Sequence, residues 1–129
     1  MATRTGSLID AVRFEDGALV DELIESGAAL EEVDIKGQTP LIIAAKTDQF
    51  EIAERLLEAG ADPFAVSQFG WTAGYATATS RLQRGPEFEA KARVTAMLEE
   101  RGYPMPGPDK PDIKRSVAEG KWPPRNFEQ

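Results

Sequence analysis

The sequence has neither cysteine nor histidine among its 129 residues. Without thiols and imidazoles it lacks disulfides and the ligands of most zinc and iron–sulfur sites. It also lacks the nucleophile or the base of many enzymes. Adjacent carboxylates such as Glu15 and Asp16 diverge from a helix rather than converge on one substrate atom, and no phosphate-binding glycine loop or G-x-S-x-G motif occurs. We therefore expect no catalytic residue, no bound metal and no cofactor, so the chain is not expected to be an enzyme.

Long hydrophobic runs are also missing. A membrane-spanning helix requires about 18 consecutive apolar residues, and no stretch of the sequence approaches that length. Asp10 interrupts the apolar residues near the start, so no signal peptide is expected. We expect a cytoplasmic protein that does not bind membranes. Its 41% of hydrophobic residues suffice for one domain that folds without a disulfide or a metal.

Positive charge is scarce in the first half of the chain. The formal net charge is −7, and residues 1–66 hold five basic side chains against 14 acidic ones, whereas residues 67–129 hold ten against eight. This balance disfavours nucleic acids and anionic lipids, which bind clustered lysine and arginine, and it favours a basic protein partner. Individually, many of these acids are also what the solvent-exposed face of a helix normally carries.

An internal repeat with a spacing of 33 residues organises the chain. Residues 23–28 (L-I-E-S-G-A) recur as residues 56–61 (L-L-E-A-G-A), and residues 34–39 recur in outline as residues 67–72. Such a period is typical of stacked structural repeats. The units are expected at about residues 5–33, 34–66 and 67–108, so that the repeats occupy residues 1–108 and a C-terminal tail occupies residues 109–129.

The third unit contains an insertion. Its second half aligns on the second unit only with an offset of 42, which indicates nine inserted residues near 79–87. Gly85 and Pro86 predict a turn there, which would end any helix through residues 76–82. The insertion is either a contributor to binding specificity or a tolerated surface loop.

Each unit carries the signals of a helical hairpin. In the second unit Thr39 is a helix cap and Pro40 stands in the first turn, where its missing N–H costs nothing. A second helix over residues 50–59 would bury Leu56 and Leu57, and Gly60 would end it with a positive φ. Neither helix can bury its apolar face alone, so stacking of the units is expected.

Residues 37–45, which read G-Q-T-P-L-I-I-A-A, and residues 56–63, which read L-L-E-A-G-A-D-P, closely resemble the ankyrin repeat. The likeness covers about residues 5–104 and is to small three-repeat proteins of bacterial type. It implies an all-α solenoid of about three helix–turn–helix units with a proline-rich C-terminal tail. Two positions depart from the family: Ile42 replaces the usual histidine, and residues 73–75 read A-G-Y where P-L-H is expected.

The tail is rich in proline and allows only a short helix, expected over residues 112–119. Ile113 and Val117, one turn apart, are expected to cover the open end of the third repeat. The aromatic residues Trp122 and Phe127 either fold back onto the domain or insert into a partner. The basic residues of the tail are too loosely spaced to favour nucleic acid.

The resemblance also implies a function, since ankyrin repeats bind proteins through their turn tips and the concave face of their first helices. Carried over to this sequence, the partner-binding residues are expected to be Phe14, Ile35, Lys36, Gln38, Lys46, Thr47, Gln68, Phe69, Trp71, Tyr75 and Arg81. Phe69 and Trp71 either anchor the partner or pack on the insertion or the tail. The expected role is a non-enzymatic module that is monomeric when free and binds a basic protein, for instance an inhibitor or immunity protein that neutralises a toxin. The alternative is a self-assembling structural scaffold.

Overall fold

The computed structural model describes residues 7–105 and 107–124, and within those ranges it contains seven α-helices and no strand. The helices are α1 (Leu8–Arg13), α2 (Gly17–Glu25), α3 (Pro40–Lys46), α4 (Phe50–Glu58), α5 (Ala73–Thr79), α6 (Pro86–Glu100) and α7 (Lys110–Ala118). Within each unit the two helices pack together, as α1 with α2, α3 with α4 and α5 with α6. The all-α class predicted from the sequence is confirmed.

The helices form two layers. The first helices of the units, α1, α3 and α5, pack side by side, and the second helices, α2, α4 and α6, pack in a parallel row behind them. The apolar core lies between the layers, where Leu41, Phe50, Leu56 and Leu98 are almost completely buried. Since each hairpin exposes an apolar face that only its neighbour covers, the stack stabilises all the units together.

Threonine side chains cap the first helices of the second and third units, at the predicted Thr39 and at its equivalent Thr72. The Thr39 hydroxyl accepts the N–H of Ile42 at 3.2 Å, and the Thr72 hydroxyl accepts the N–H of Tyr75 at 3.0 Å. Both satisfy a helix N–H that has no partner within the helix. Gly60 follows α4 with a φ of 106°, the conformation expected for it.

The insertion lengthens both the loop and the second helix of the third unit. The loop before α6 has six residues against three before α4, and α6 has 15 residues against nine, so the two differences account for the nine inserted residues. Glu87 accepts the N–H of Glu51 at 2.8 Å, which ties the insertion to the start of α4. Helix α5 ends at Thr79, before the predicted turn at Gly85 and Pro86, because Ser80 is extended and donates its hydroxyl to Asp48 at 2.8 Å.

Tyr103, just after α6, fills a space that the third repeat leaves open. Gly74 stands where the second repeat has the buried Leu41, and a Cβ atom at Gly74 would overlap the Tyr103 ring. The Tyr103 hydroxyl lies 2.5 Å from the Thr72 hydroxyl. A residue that follows the second helix of the unit therefore supplies the apolar contact that α5 itself lacks.

The tail folds back on the second and third units. Trp122 donates its indole N–H to the Phe64 carbonyl at 2.7 Å, and its ring meets Phe64 and Tyr103 edge-on. Ile113 of α7 is buried as expected, but the expectation for Val117 is wrong, since Val117 is 48% exposed. Helix α7 meets the repeats with its first turns, near Gly70, so its later turn extends into solvent. Phe127 lies outside the described residues.

Candidate partner-binding surface

A groove runs along the layer of first helices. It consists of two adjoining cavities of about 250 and 310 Å³ that share Lys46, and we refer to them together as the inner groove. The first is lined by Arg13, Glu15, Gln38, Ile43, Lys46, Thr47 and Gln49, and the second by Ala45, Lys46, Asp48, Trp71, Ala76, Thr79, Ser80 and Arg81. The groove thus crosses all three units and is open to a ligand from solvent.

A polar network crosses the groove from the first unit to the second. Arg13 donates to the Asp34 carboxylate at 2.6 Å, and the Gln38 amide donates to the same carboxylate at 2.9 Å. Lys46 in turn donates to the Gln38 side-chain oxygen at 2.6 Å. Each side chain of this network is hydrogen-bonded to the next one, so the groove is ordered in the free protein.

Asp34 is the centre of the second turn tip. Its Oδ1 atom accepts the N–H groups of Lys36 at 2.9 Å and Gln38 at 2.8 Å, and its side chain is only 6% exposed. Burial alone would raise the pKa of Asp34, but the hydrogen bonds from Gln38 and Lys36 and the charge of Arg13 outweigh it and lower the pKa below its ordinary value. The carboxylate therefore stays ionised and fixes the shape of the tip.

Trp71 is surrounded by cations and a second aromatic ring. The ammonium groups of Lys46 and Lys110 lie 4.6 and 4.7 Å from the centre of its ring, and the Tyr75 ring meets it edge-on at 5.0 Å. Lys36, Lys46 and Lys110 form what we call the lysine cluster. Burial lowers the pKa of Lys46, and the charges of Lys36 and Lys110 lower it further, against the opposing effect of Asp34.

Two adjacent turn tips expose apolar side chains. Ile35 is 89% exposed and Phe69 is 57% exposed. The tips are joined by the Gln68 N–H, which donates to the Lys36 carbonyl at 3.0 Å, and by the Gln68 amide, which donates to the Ile35 carbonyl at 3.2 Å. We call Ile35, Lys36, Gln68 and Phe69 the tip surface. Its backbone is rigid while its apolar groups face solvent.

The structure brings most of the predicted site residues together. Gln38, Lys46, Thr47, Trp71 and Arg81 line the inner groove, Tyr75 packs on Trp71, and the other predicted tip residues make up the tip surface. Phe14 is separate: it follows α1, is 77% exposed and lines neither cavity of the groove.

The two aromatic residues with alternative expectations behave differently. Trp71 is half-buried and contacts Lys110 of α7, so it packs against the tail. Phe69 remains exposed on its tip. The Trp71 ring therefore packs against the ammonium groups of Lys46 and Lys110 and does not project into solvent as Phe69 does.

Sequence reasoning missed Lys110, which it had assigned to a loosely basic tail. A signal for it exists, because the offset of 42 that aligns the third unit on the second also aligns Lys110 on Gln68. Lys110 thus stands where the tip of a further repeat would lie, next to Gly70: a Cβ atom added at Gly70 would be 3.0 Å from the Lys110 carbonyl oxygen.

Six of the 14 acidic side chains of the first half lie on the second-helix layer. Helices α2 and α4 carry Asp21, Glu22, Glu25, Glu51, Glu54 and Glu58. A separate cavity of about 280 Å³ between these two helices is lined by Asp21, Ile24, Glu25, Arg55, Glu58 and Ala59, and we call it the outer groove. This part of the negative charge from which a basic partner was predicted lies away from the lysine cluster, whereas Glu15 and Asp48 line the inner groove itself.

No helix in the described ranges is both long and apolar enough to cross a membrane.

The family model described as ankyrin repeats in three copies matches residues 8–83. The match ends within the inserted loop before α6. Among solved structures, the chain is similar to the protein titled "Crystal Structure of EF0377 an Ankyrin Repeat Protein", with a TM-score of 0.62 and 26% sequence identity over 80% of this chain. It spans 48% of that protein's length. The chain belongs to the ankyrin repeat family, and its repeats form a protein–protein interaction module.

Proposed function

We propose that this chain is a non-catalytic module that binds its protein partner through the tip surface and the adjoining inner groove. The observation that carries the proposal is the exposure of Ile35 and Phe69 on two adjacent, hydrogen-bonded tips. Large apolar side chains that remain in water beside a polar rim are typical anchors of an interface. The groove beside them offers room for the partner's side chains.

The order of this surface supports the proposal. Asp34 holds the second tip through two backbone N–H groups, and Gln68 joins that tip to the third. Binding to a surface that is already ordered loses little conformational entropy, so more of the contact energy appears as affinity.

A basic partner is a second candidate, with a different surface. The outer groove between α2 and α4 presents Asp21, Glu25 and Glu58 against a single cation, Arg55. This surface supports the idea of an inhibitor or immunity protein that covers a basic toxin, because complementary charge speeds association. Binding by this route would weaken as salt rises, and Glu25→Gln with Glu58→Gln would weaken it further while changes at the tips would not.

Self-assembly through the exposed ends of the stack is the structural alternative. We expect a monomer of 14.1 kDa when the free protein is examined by light scattering. A concentration-dependent increase in mass that persists in the Ile35→Ser, Phe69→Ser variant would instead favour the scaffold and contradict the proposed role as a monomeric adaptor or inhibitor.

The direct test places a photo-crosslinking amino acid at position 35 or 69 and, as a control, at position 117, where Val117 is exposed on α7. We expect one protein to be crosslinked from positions 35 and 69 in an extract of the cells that make the chain. The crosslink should be lost in the Ile35→Ser, Phe69→Ser variant and retained in Val117→Ser. Equal capture of the same protein from position 117 would contradict the proposal.

A further inference from the structure

The lysine cluster lies beside the exposed apolar tips, and within the described part of the chain none of its ammonium groups forms an ion pair with a carboxylate. We propose that the segment of the partner that binds here is acidic, with aspartate or glutamate side chains placed next to apolar ones. The inference rests on the proposed protein-binding function and specifies the chemistry of the partner.

The first argument is unbalanced charge. Among the residues that the structure describes, no carboxylate lies within ion-pair distance of Lys36, Lys46 or Lys110. The nearest acid in the network, Asp34, is already paired with Arg13. Burial lowers the pKa of Lys46, and the repulsion of its ammonium group by those of Lys36 and Lys110 lowers it further. A bound carboxylate would relieve this repulsion.

The second argument is preorganisation. Cation–π contacts hold the ammonium groups of Lys46 and Lys110 over Trp71. Lys46 is further fixed by its hydrogen bond to Gln38. Lysine side chains normally lose considerable rotamer freedom when they bind a ligand, and here much of that loss has occurred in the free protein.

The third argument is the neighbouring apolar surface. Lys36 follows Ile35 in the chain, and its carbonyl accepts the Gln68 N–H that joins the two tips. Ile35 and Phe69 are exposed on these tips. A segment whose carboxylates meet the lysine cluster would place adjacent apolar side chains on these two residues. A purely acidic segment would leave Ile35 and Phe69 exposed, and a purely apolar one would leave the lysine cluster without carboxylates. A segment that is both acidic and apolar contacts both parts of the surface.

A protein segment fits this surface better than a nucleic acid. Phosphate backbones require basic groups spread along the path of the strand, but here the cluster is local and the chain's net charge is −7. A short acidic segment interacts with the nearby lysines and extends little beyond them. The acids of α2 and α4 would also repel such a segment from the opposite layer and direct it to the tips.

The experiment selects short random displayed peptides on the immobilised full chain at about 0.15 M salt. We expect the enriched peptides to combine aspartate or glutamate with large apolar residues. Their affinity should fall about tenfold or more on the Lys46→Gln, Lys110→Gln variant. The matched control is Lys121→Gln, which removes the same charge from a lysine that pairs with Glu119, and it should leave the affinity unchanged. Thermal melts of all variants check that they are folded.

The outcomes separate this inference from the proposed function. Enriched peptides that are neutral or basic, or that bind the Lys46→Gln, Lys110→Gln variant unchanged, overturn the inference. The proposed function still stands if those peptides are lost on the Ile35→Ser, Phe69→Ser variant. Absence of enrichment, or enriched peptides that no change at the tips weakens, overturns both.

Discussion

The second and third repeats solve the same packing problem in different ways. The second contains its own apolar residues: Leu41 fills the core beneath α3, and Ile42 is buried beside it. The third has Gly74 at the position of Leu41, and the Tyr103 ring fills the vacant space. A first helix that departs from its family's pattern can therefore be completed by a residue that follows the second helix of the same unit.

The turns of the second and third repeats also differ in how far their own side chains hold them. Asp34 accepts hydrogen bonds from two backbone N–H groups and two side chains. At the equivalent position Ser67 accepts the Trp71 N–H alone with its side chain, at 3.2 Å. The third turn instead gains contacts from α7, which packs against Gly70. The third turn therefore depends on a contact from outside the repeats, whereas the second is held by its own side chain.

The largest expected effect follows from removal of the Tyr103 ring. Tyr103→Ala should lower the free energy of unfolding by about 4 kcal/mol, because it leaves a cavity at a fully buried site. The melting temperature should fall by roughly 10–15 °C. A decrease of only a few degrees would show that Tyr103 does not complete the third repeat.

Gly74→Leu sharpens this comparison by restoring the residue of the second repeat. Alone it should destabilise the protein, since the new side chain overlaps Tyr103. Combined with Tyr103→Ala it should recover more than half of the lost stability, because leucine then occupies the vacant space. Additive losses in the double variant would contradict the idea that the two positions share one space.

A smaller effect is expected at the turns. Asp34→Ala should cost about 2 kcal/mol, because it removes at once the acceptor of the Lys36 and Gln38 N–H groups and the partner of Arg13. Ser67→Ala should cost about 1 kcal/mol or less. Urea unfolding of both variants measures the difference, and equal losses would show that the third turn depends on its side chain as much as the second does.

The pH dependence of the Asp34 contribution can be checked with the same variant. Because the folded pKa is lowered, the contribution is complete above the unfolded pKa of about 3.9 and is lost as the pH falls through the lower folded value. The stabilities of the wild type and Asp34→Ala should therefore converge in acid and diverge towards neutral pH.

The smallest expected effect concerns the stability of the protein at alkaline pH. Burial raises the pKa of Tyr103 despite its hydrogen bonds with Thr72 and the Tyr75 N–H. Above a pH of about 10 the unfolded chain releases this proton before the folded chain does, so stability declines as the pH rises. Tyr103→Phe should cost about 1 kcal/mol at neutral pH and show a shallower alkaline decline than the wild type. Identical slopes would mean that the folded phenol is not protected.

The helix pairs were predictable because their signals are local. Thr39, Pro40 and Gly60 mark helix ends through neighbouring backbone groups, and the 33-residue spacing repeats them. Tyr103 was not predictable in the same way. Gly74 indicates that a side chain is missing, but which residue fills the space depends on the course of the chain after α6.

The candidate site was predictable as a region but not as a set of contacts. The family resemblance implied Gln38, Lys46 and Trp71 as neighbours in a binding face, and the structure places them in one groove. Sequence alone did not indicate that Trp71 would hold two ammonium groups, since one of them comes from α7. The prediction for Val117 was wrong for a related reason. Periodicity indicates which face of a helix is apolar, but not how far along that helix the neighbouring repeat extends.

The contact between Tyr103 and Gly74 also determines where the array can lengthen. In a repeat stack each unit contacts only its neighbours, so a duplicated copy of residues 34–66 inserted after residue 66 would meet familiar surfaces on both sides and leave this contact intact. A unit fused directly after Gly102 would have to displace the ring and the helix that follows it. The array is therefore extensible from its middle and closed at its last repeat, which gives protein engineers a direct rule for building longer versions.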